Sequence, residues 1–188
     1  QLENCGFEEW SGSKPMYIAA SSSDFFWDSG NHGSSSVSAF ATDLTTADSS
    51  VKVEGKYSAK LQSKKIVIKF AAGNLFIGKY LDTQKMNGIL GWGRSFTSRP
   101  VALTGYIRYT SGTVDNGGKY IENGEQDKGQ VFIALGDWEG QTYGGETWPL
   151  IVDTRDAATF FDPKGDNVIA YGEQTWDSST EGENMHPF

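Results

Sequence analysis

The chain has 188 residues, a size that fits one domain able to bury a core without disulfide staples. Its net charge of -8 and pI near 4.7 exclude a nucleic-acid surface, which needs clustered Lys and Arg to displace counterions. The single cysteine, Cys5, cannot close an internal disulfide, and one thiol with two histidines, His32 and His186, falls short of the four Cys and His ligands of an ordinary structural zinc site.

In chain order, Gln1 opens without an initiator methionine or an apolar signal segment, so the ends read as those of a processed or trimmed piece. No apolar run reaches the length needed to cross a bilayer, and no transmembrane segment is expected. Short strand candidates recur at residues 7–10, 56–63, 65–71, 75–80, 101–110, 130–135, 148–154 and 167–171. Serine runs at 21–23 and 34–36 flank a stretch read as a loop, Asp24 to His32, around the adjacent aromatics Phe25, Phe26 and Trp27. Helix is expected only as a short turn at 83–86. In the 101–110 run Val101, Leu103, Ile107 and Tyr109 share one face, with Thr104, Tyr106 and Arg108 on the other, the alternation of a sheet. Residues 115–127 read as a mobile acidic hairpin tip, and 178–184 as a polar, poorly ordered segment. Many short strands, 23 glycines against 5 prolines and no sustained helical period predict an all-β fold, a jelly-roll β-sandwich of two antiparallel sheets.

Aromatics beside Asp, Asn and Arg are the pattern that suits a sugar, whose C–H faces stack on rings and whose hydroxyls pair with bidentate polar groups. Trp27 leads the candidates, with Asp28 and Asn31 near it in sequence. Trp138 follows Gly136 and Asp137 at a strand end, and Trp148 sits before Pro149 where a loop enters a strand. Trp10 and Trp176 read as packing residues, and Trp92, between two glycines, reads either as a ligand platform or, more simply, as part of a close-packed loop. Arg99, at the mouth of the 101–110 strand, faces either a ligand or a buried ion-pair partner. Asn74 reads as a turn former that tolerates positive φ.

Several motifs together resemble a known family. Gly55-Lys-Tyr-Ser-Ala-Lys-Leu61, Ala71-Ala-Gly-Asn-Leu-Phe-Ile-Gly78, Ser98-Arg-Pro-Val-Ala-Leu-Thr-Gly-Tyr106 and Gly129-Gln-Val-Phe-Ile-Ala-Leu135 are similar to motifs of the putative carbohydrate-metabolism domain family, PCMD. The Phe-Trp-Asp-Ser-Gly-Asn stretch at 26–31 resembles its early aromatic motif, and the likeness runs over about residues 4–176. The resemblance implies a jelly-roll domain akin to carbohydrate-binding modules and glycoside hydrolases. Such domains belong to exported proteins of glycan-foraging bacteria and often follow an immunoglobulin-like domain. The implied location is extracellular, periplasmic or on the cell surface, and the implied partner is a polysaccharide or oligosaccharide. Family members run on past a position like Phe188, so a truncated C-terminus and an unpaired sheet edge are expected.

Three functions compete. The first is carbohydrate recognition without catalysis. The second is glycoside hydrolysis, for which Asp137 and Glu139 would share a strand face with Cα atoms about 6.6 Å apart; Glu146, Asp24 or Asp28 could supply a partner carboxylate. The third is a protein-docking or adhesion module, whose rings would be rimmed by Leu, Ile and Met rather than by polar groups. No cofactor is required by any of them. Glu3, Glu8, Glu54 and the acids of 115–127 are the oxygen donors a structural calcium ion would use, but no known calcium-loop pattern is present and a solvated acidic loop explains them more simply.

Overall fold

The structure, a computed structural model, describes residues 1–23, 25–37, 42–66, 69–118 and 121–188. The elements in chain order are β1 (Trp27–Asp28), α1 (Asn31–Val37), β2 (Thr45–Asp48), β3 (Ser58–Leu61), β4 (Lys64–Ile66), β5 (Lys69–Ala71), β6 (Phe76–Gln84) and β7 (Asn87–Trp92). They continue with β8 (Tyr106–Ile107), β9 (Gly129–Gly136), β10 (Gln141–Tyr143), β11 (Glu146–Trp148), β12 (Leu150–Asp153), a 3-10 turn (Ala157–Thr159), β13 (Val168–Trp176) and β14 (His186–Pro187). The fold is all-β. Among the described residues the strands gather in one four-stranded sheet and five two-stranded ladders, small and separate.

Two compact units divide the chain. The first comprises Gln1–Ser50, Glu54–Thr97 and Trp138–Asp162. Its centre is an antiparallel sheet in the order β1-β6-β7-β12. β6 and β7 form a hairpin that closes at the Gln84↔Asn87 pair, with Lys85 in the left-handed region at φ 63. Residues 83–86, expected to be helical, are therefore strand end and turn. The ladder satisfies their backbone groups, and a helical turn would forfeit those bonds. Ile18, Phe25, Leu44, Tyr80, Ile89, Trp148 and Val152 are buried, all of them in this unit. Each such side chain contributes about 1.5–3 kcal/mol by leaving water.

The helix lies where the sequence reads as a loop. Ser34, Ser35 and Ser36 each donate a side-chain hydrogen bond to the carbonyl three residues back, and the Asn74 side chain accepts the Gly30 N–H just before the first turn. His32 then stacks on Tyr80 of β6 with ring centres 5.6 Å apart. Serine is a poor helix former because its hydroxyl competes for backbone groups, and here that hydroxyl is satisfied inside the helix itself. Asn74 consequently braces α1 and is not a positive-φ turn residue. The 7–10 candidate forms no strand: Phe7 has φ 53, and the nearest pairing is the single bridge Ser11↔Tyr17. The 65–71 candidate is two strands, since Lys64 pairs with Ala71 across β4 and β5.

The second unit comprises Val51–Val53, Ser98–Asp137 and Pro163–Phe188. β9 and β13 make a two-stranded ribbon running from the Gly129↔Trp176 pair to Gly136↔Val168, and β8 pairs with β14. None of its described residues is fully buried. The 101–110 candidate shrinks to Tyr106–Ile107, and Val101 is 105% exposed. Alternation orders a strand only where a neighbour supplies the ladder, and β14 supplies it over two residues. The acidic tip at 112–127 is fastened at its base. Asp127 accepts bonds from the Gly112 N–H at 2.6 Å and the Tyr109 hydroxyl at 2.8 Å. Burial pushes the Asp127 carboxyl up, but those bonds and one from Ser111 outweigh it and hold it below the usual carboxylate range. Tyr109, half-buried and bonded to that carboxylate, is pushed up to about 12.

Candidate functional site

The first unit carries a small hairpin that the strand candidates leave out. β10 and β11 pair through Tyr143↔Glu146, and the two intervening glycines, Gly144 and Gly145, take φ 59 and 86. Both central residues of this turn type need positive φ, so Gly-Gly between short strands is a legible hairpin signal. Two polar links clamp the hairpin to β6: the Tyr143 hydroxyl donates to Asp82 at 2.6 Å, and Lys79 pairs with Glu146 at 2.5 Å. At the end of β11, the Trp148 indole lies flat against β7. Gly91 makes this possible, since a Cβ there would come within 2.4 Å of the ring. Trp148 is left 5% exposed.

Arg94, just past β7, completes the arrangement. Its guanidinium sits 4.4 Å from the Trp148 ring centre and donates to the Phe25 carbonyl at 2.7 Å. Ser22, Ser23, Phe25, Lys79, Arg94, Glu146 and Trp148 together line a cleft of about 430 Å³. Its open surface is polar, because Phe25 and Trp148 are both buried and Arg94 covers the indole. The expected bare aromatic platform is thus replaced by a guanidinium stacked on a ring, an arrangement in which a planar cation is held by its face and left open along its edges.

Among the residues expected from sequence, Trp148 lines the cleft, and Glu146, named as a partner carboxylate, lines it too. Trp27 is half-buried against Phe7 and Phe26, with ring centres 5.5 and 5.3 Å away, and its indole N–H donates to the Glu3 carbonyl. Asp28 is buried and accepts from the Ser29 and Tyr80 N–H groups. Burial raises its carboxyl above the ordinary 3.8, against those bonds and the charges of His32 and Lys79. Asn31 is 1% exposed and fully engaged with the backbone of Met16, Leu44 and Thr45. Trp138 is half-buried outside the cleft lining. Arg99 is exposed, with no ion-pair partner among the described residues, so the buried pair considered for it is not formed. Asp137 and Glu139 are exposed and lie beyond the end of β9 at Gly136, so the continuing strand on which they would share a face is absent. Asp24 falls outside the described residues. Trp92 ends β7 and packs on Phe76 at 6.0 Å, so it belongs to a strand and not a loop. Lys79 and Arg94 carried no local sequence signal; pairing and a ring contact give them their roles.

A second polar cluster flanks the hairpin and is occupied by its own members. Asp82 accepts from Tyr143 and from Gln84, both at 2.6 Å, and these bonds hold its carboxyl below the ordinary range. Arg155 grips Asp153 by several bonds, which lowers that carboxyl from 3.8 to about 2. A depressed native value means the pair stabilises the fold in full above 3.8 and loses that contribution as pH falls through about 2. Carboxyl NMR should therefore place the Asp153 midpoint near 2, and Arg155→Gln should return it toward 3.8.

Among the described residues, no three His, Cys, Asp or Glu side chains converge as metal ligands. Glu8, one of the calcium candidates, accepts from the Lys56 and Tyr57 N–H groups instead. Among the same residues, no helix is long and apolar enough to cross a membrane. Compared with known proteins, the chain matches the model of a family described as a putative carbohydrate metabolism domain over residues 6–186. No curated protein and no solved structure matches it.

Proposed function

Because the chain belongs to the putative carbohydrate metabolism domain family, we propose that it recognises carbohydrate in the cleft formed by Lys79, Arg94, Glu146 and Trp148. The observation that carries this reading is the clamped hairpin. With it, one ammonium, one ring-backed guanidinium, one carboxylate and two serine hydroxyls surround one opening of about 430 Å³. A saccharide needs convergent donors and acceptors at fixed positions, and a site anchored on strands holds them with little reorganisation. Glu146 is the one carboxylate among the described lining residues. Hydrolysis by a carboxylate pair would need a second one across the opening, so recognition is the better-supported use. As part of the same proposal, the domain works outside the cell or on its surface in a glycan-utilisation system, and its four-stranded sheet is one wall of the jelly roll implied by the family.

A glycan array with the whole chain tests the proposal. Glu146→Gln should then weaken binding to any glycan hit by about tenfold, the equivalent of ~1.4 kcal/mol. The thermal midpoint should barely move, since exposed ion pairs contribute about 0.2–1 kcal/mol. Absence of any glycan hit would remove the proposal.

A further inference from the structure

We infer that the saccharide taken by this cleft carries a carboxylate, as a uronic acid does, and that Arg94 is the residue that selects it; the inference rests on the carbohydrate reading above. Lys79 and Arg94 are the two cations of the cleft, and they differ in what they face. Lys79 is neutralised by Glu146 at 2.5 Å. Arg94 is exposed and has no carboxylate partner among the described residues. It is nevertheless held in place, with one face on the Trp148 ring at 4.4 Å and one nitrogen on the Phe25 carbonyl at 2.7 Å.

A guanidinium fixed at its face and at one nitrogen keeps other N–H donors in a rigid planar fork. That fork matches the two oxygens of a carboxylate, which takes two parallel bonds and the opposite charge together, whereas a neutral hydroxyl offers neither. Because the ordering of the Arg94 side chain is done before the ligand arrives, less entropy opposes the contact. Glu146 repels an acid at its own end of the cleft, so the carboxylate belongs at the Arg94 end, with sugar hydroxyls toward the Lys79–Glu146 pair. The chain as a whole carries -8 and repels polyanions at a distance. A preference for acidic sugars would therefore come from local contact and not from general attraction.

Calorimetric titration of the full chain with trigalacturonate, an alginate trisaccharide, the methyl esters of both, neutral galactotriose and a sulfated galactan oligosaccharide tests this. At least one free acid should bind about tenfold or more tightly than its ester. Arg94→Gln should reduce that acid to the level at which the wild-type chain binds the ester, and Arg94→Lys, which keeps the charge and loses the fork, should fall between. Equal binding of acid and ester, or an acid preference that survives Arg94→Gln, overturns the inference while leaving carbohydrate recognition standing. Tighter binding of the sulfated sugar than of every uronate overturns the choice of carboxylate. Binding of none of the six, acidic or neutral, overturns this inference, and the glycan array then decides the proposed function separately. Should Arg94→Gln fail to fold, the acid-to-ester ratio of the wild-type chain and the Arg94→Lys variant decide.

Discussion

Asn31→Ala should destabilise the first unit by about 3–5 kcal/mol and lower its thermal midpoint by roughly 10 °C. The Asn31 amide nitrogen donates to the Met16 carbonyl at 3.0 Å and the Thr45 carbonyl at 2.6 Å, while its oxygen accepts the Leu44 and Thr45 N–H groups, both at 2.9 Å. One side chain thus joins three segments, and truncation leaves two backbone donors and two acceptors without it in a buried place. Each orphaned group costs about 1–3 kcal/mol before water enters or the backbone relaxes. Asn31→Asp separates hydrogen bonding from volume. It preserves the shape but replaces the donating nitrogen by an oxygen facing two carbonyls, so at neutral pH it should destabilise at least as much as alanine. Thermal melts of the three proteins check this. An unchanged midpoint, together with lost glycan binding, would return Asn31 to the ligand-contacting role that its neighbours in sequence suggest.

Trp148→Ala is the second large effect, expected at about 3–5 kcal/mol because the indole is buried and its removal leaves a cavity against β7. Its consequence reaches the cleft as well. Without the ring, Arg94 keeps only its bond to the Phe25 carbonyl and loses the surface that orients the guanidinium. Trp148→Phe is the informative comparison. The indole N–H is buried and makes no hydrogen bond to the described residues, so phenylalanine removes an unsatisfied donor while keeping an aromatic face. That variant should fold within about 1.5 kcal/mol of the wild type and keep most of its glycan binding. Denaturant titration and binding measured on the same three proteins test both statements. If Trp148→Ala melted like the wild type, the indole could not be the packed support described.

Several elements are legible residue by residue. The 130–135 run becomes β9, the 75–80 run becomes β6, and the 148–154 run contains β12, because each alternates or stays apolar and each has a partner strand. The Val101 run shows the limit of that logic. Its pattern is as regular as that of β9, but pattern specifies a face and a ladder needs a neighbour. The site was legible in one residue and a half. Trp148 stands out by its position before Pro149, and Glu146 is only one of several spare carboxylates. Asp28 and Asn31 have the right chemistry for a sugar, but the backbone of their own unit engages them. Short polar side chains serve both uses equally well, and only burial tells them apart.

Composition, spacing and motif order alone determined that the chain is built from strands and that it belongs with the putative carbohydrate metabolism domain family. These properties sum over many residues, so errors at single positions average out. The tertiary structure decided which polar groups are available to a ligand. Arg94 lies over a tryptophan 54 positions later in the chain, and Lys79 meets a glutamate 67 positions away. No local period encodes such meetings. They follow from the register of β6, β7 and the β10–β11 hairpin, and register is set by packing across the whole sheet.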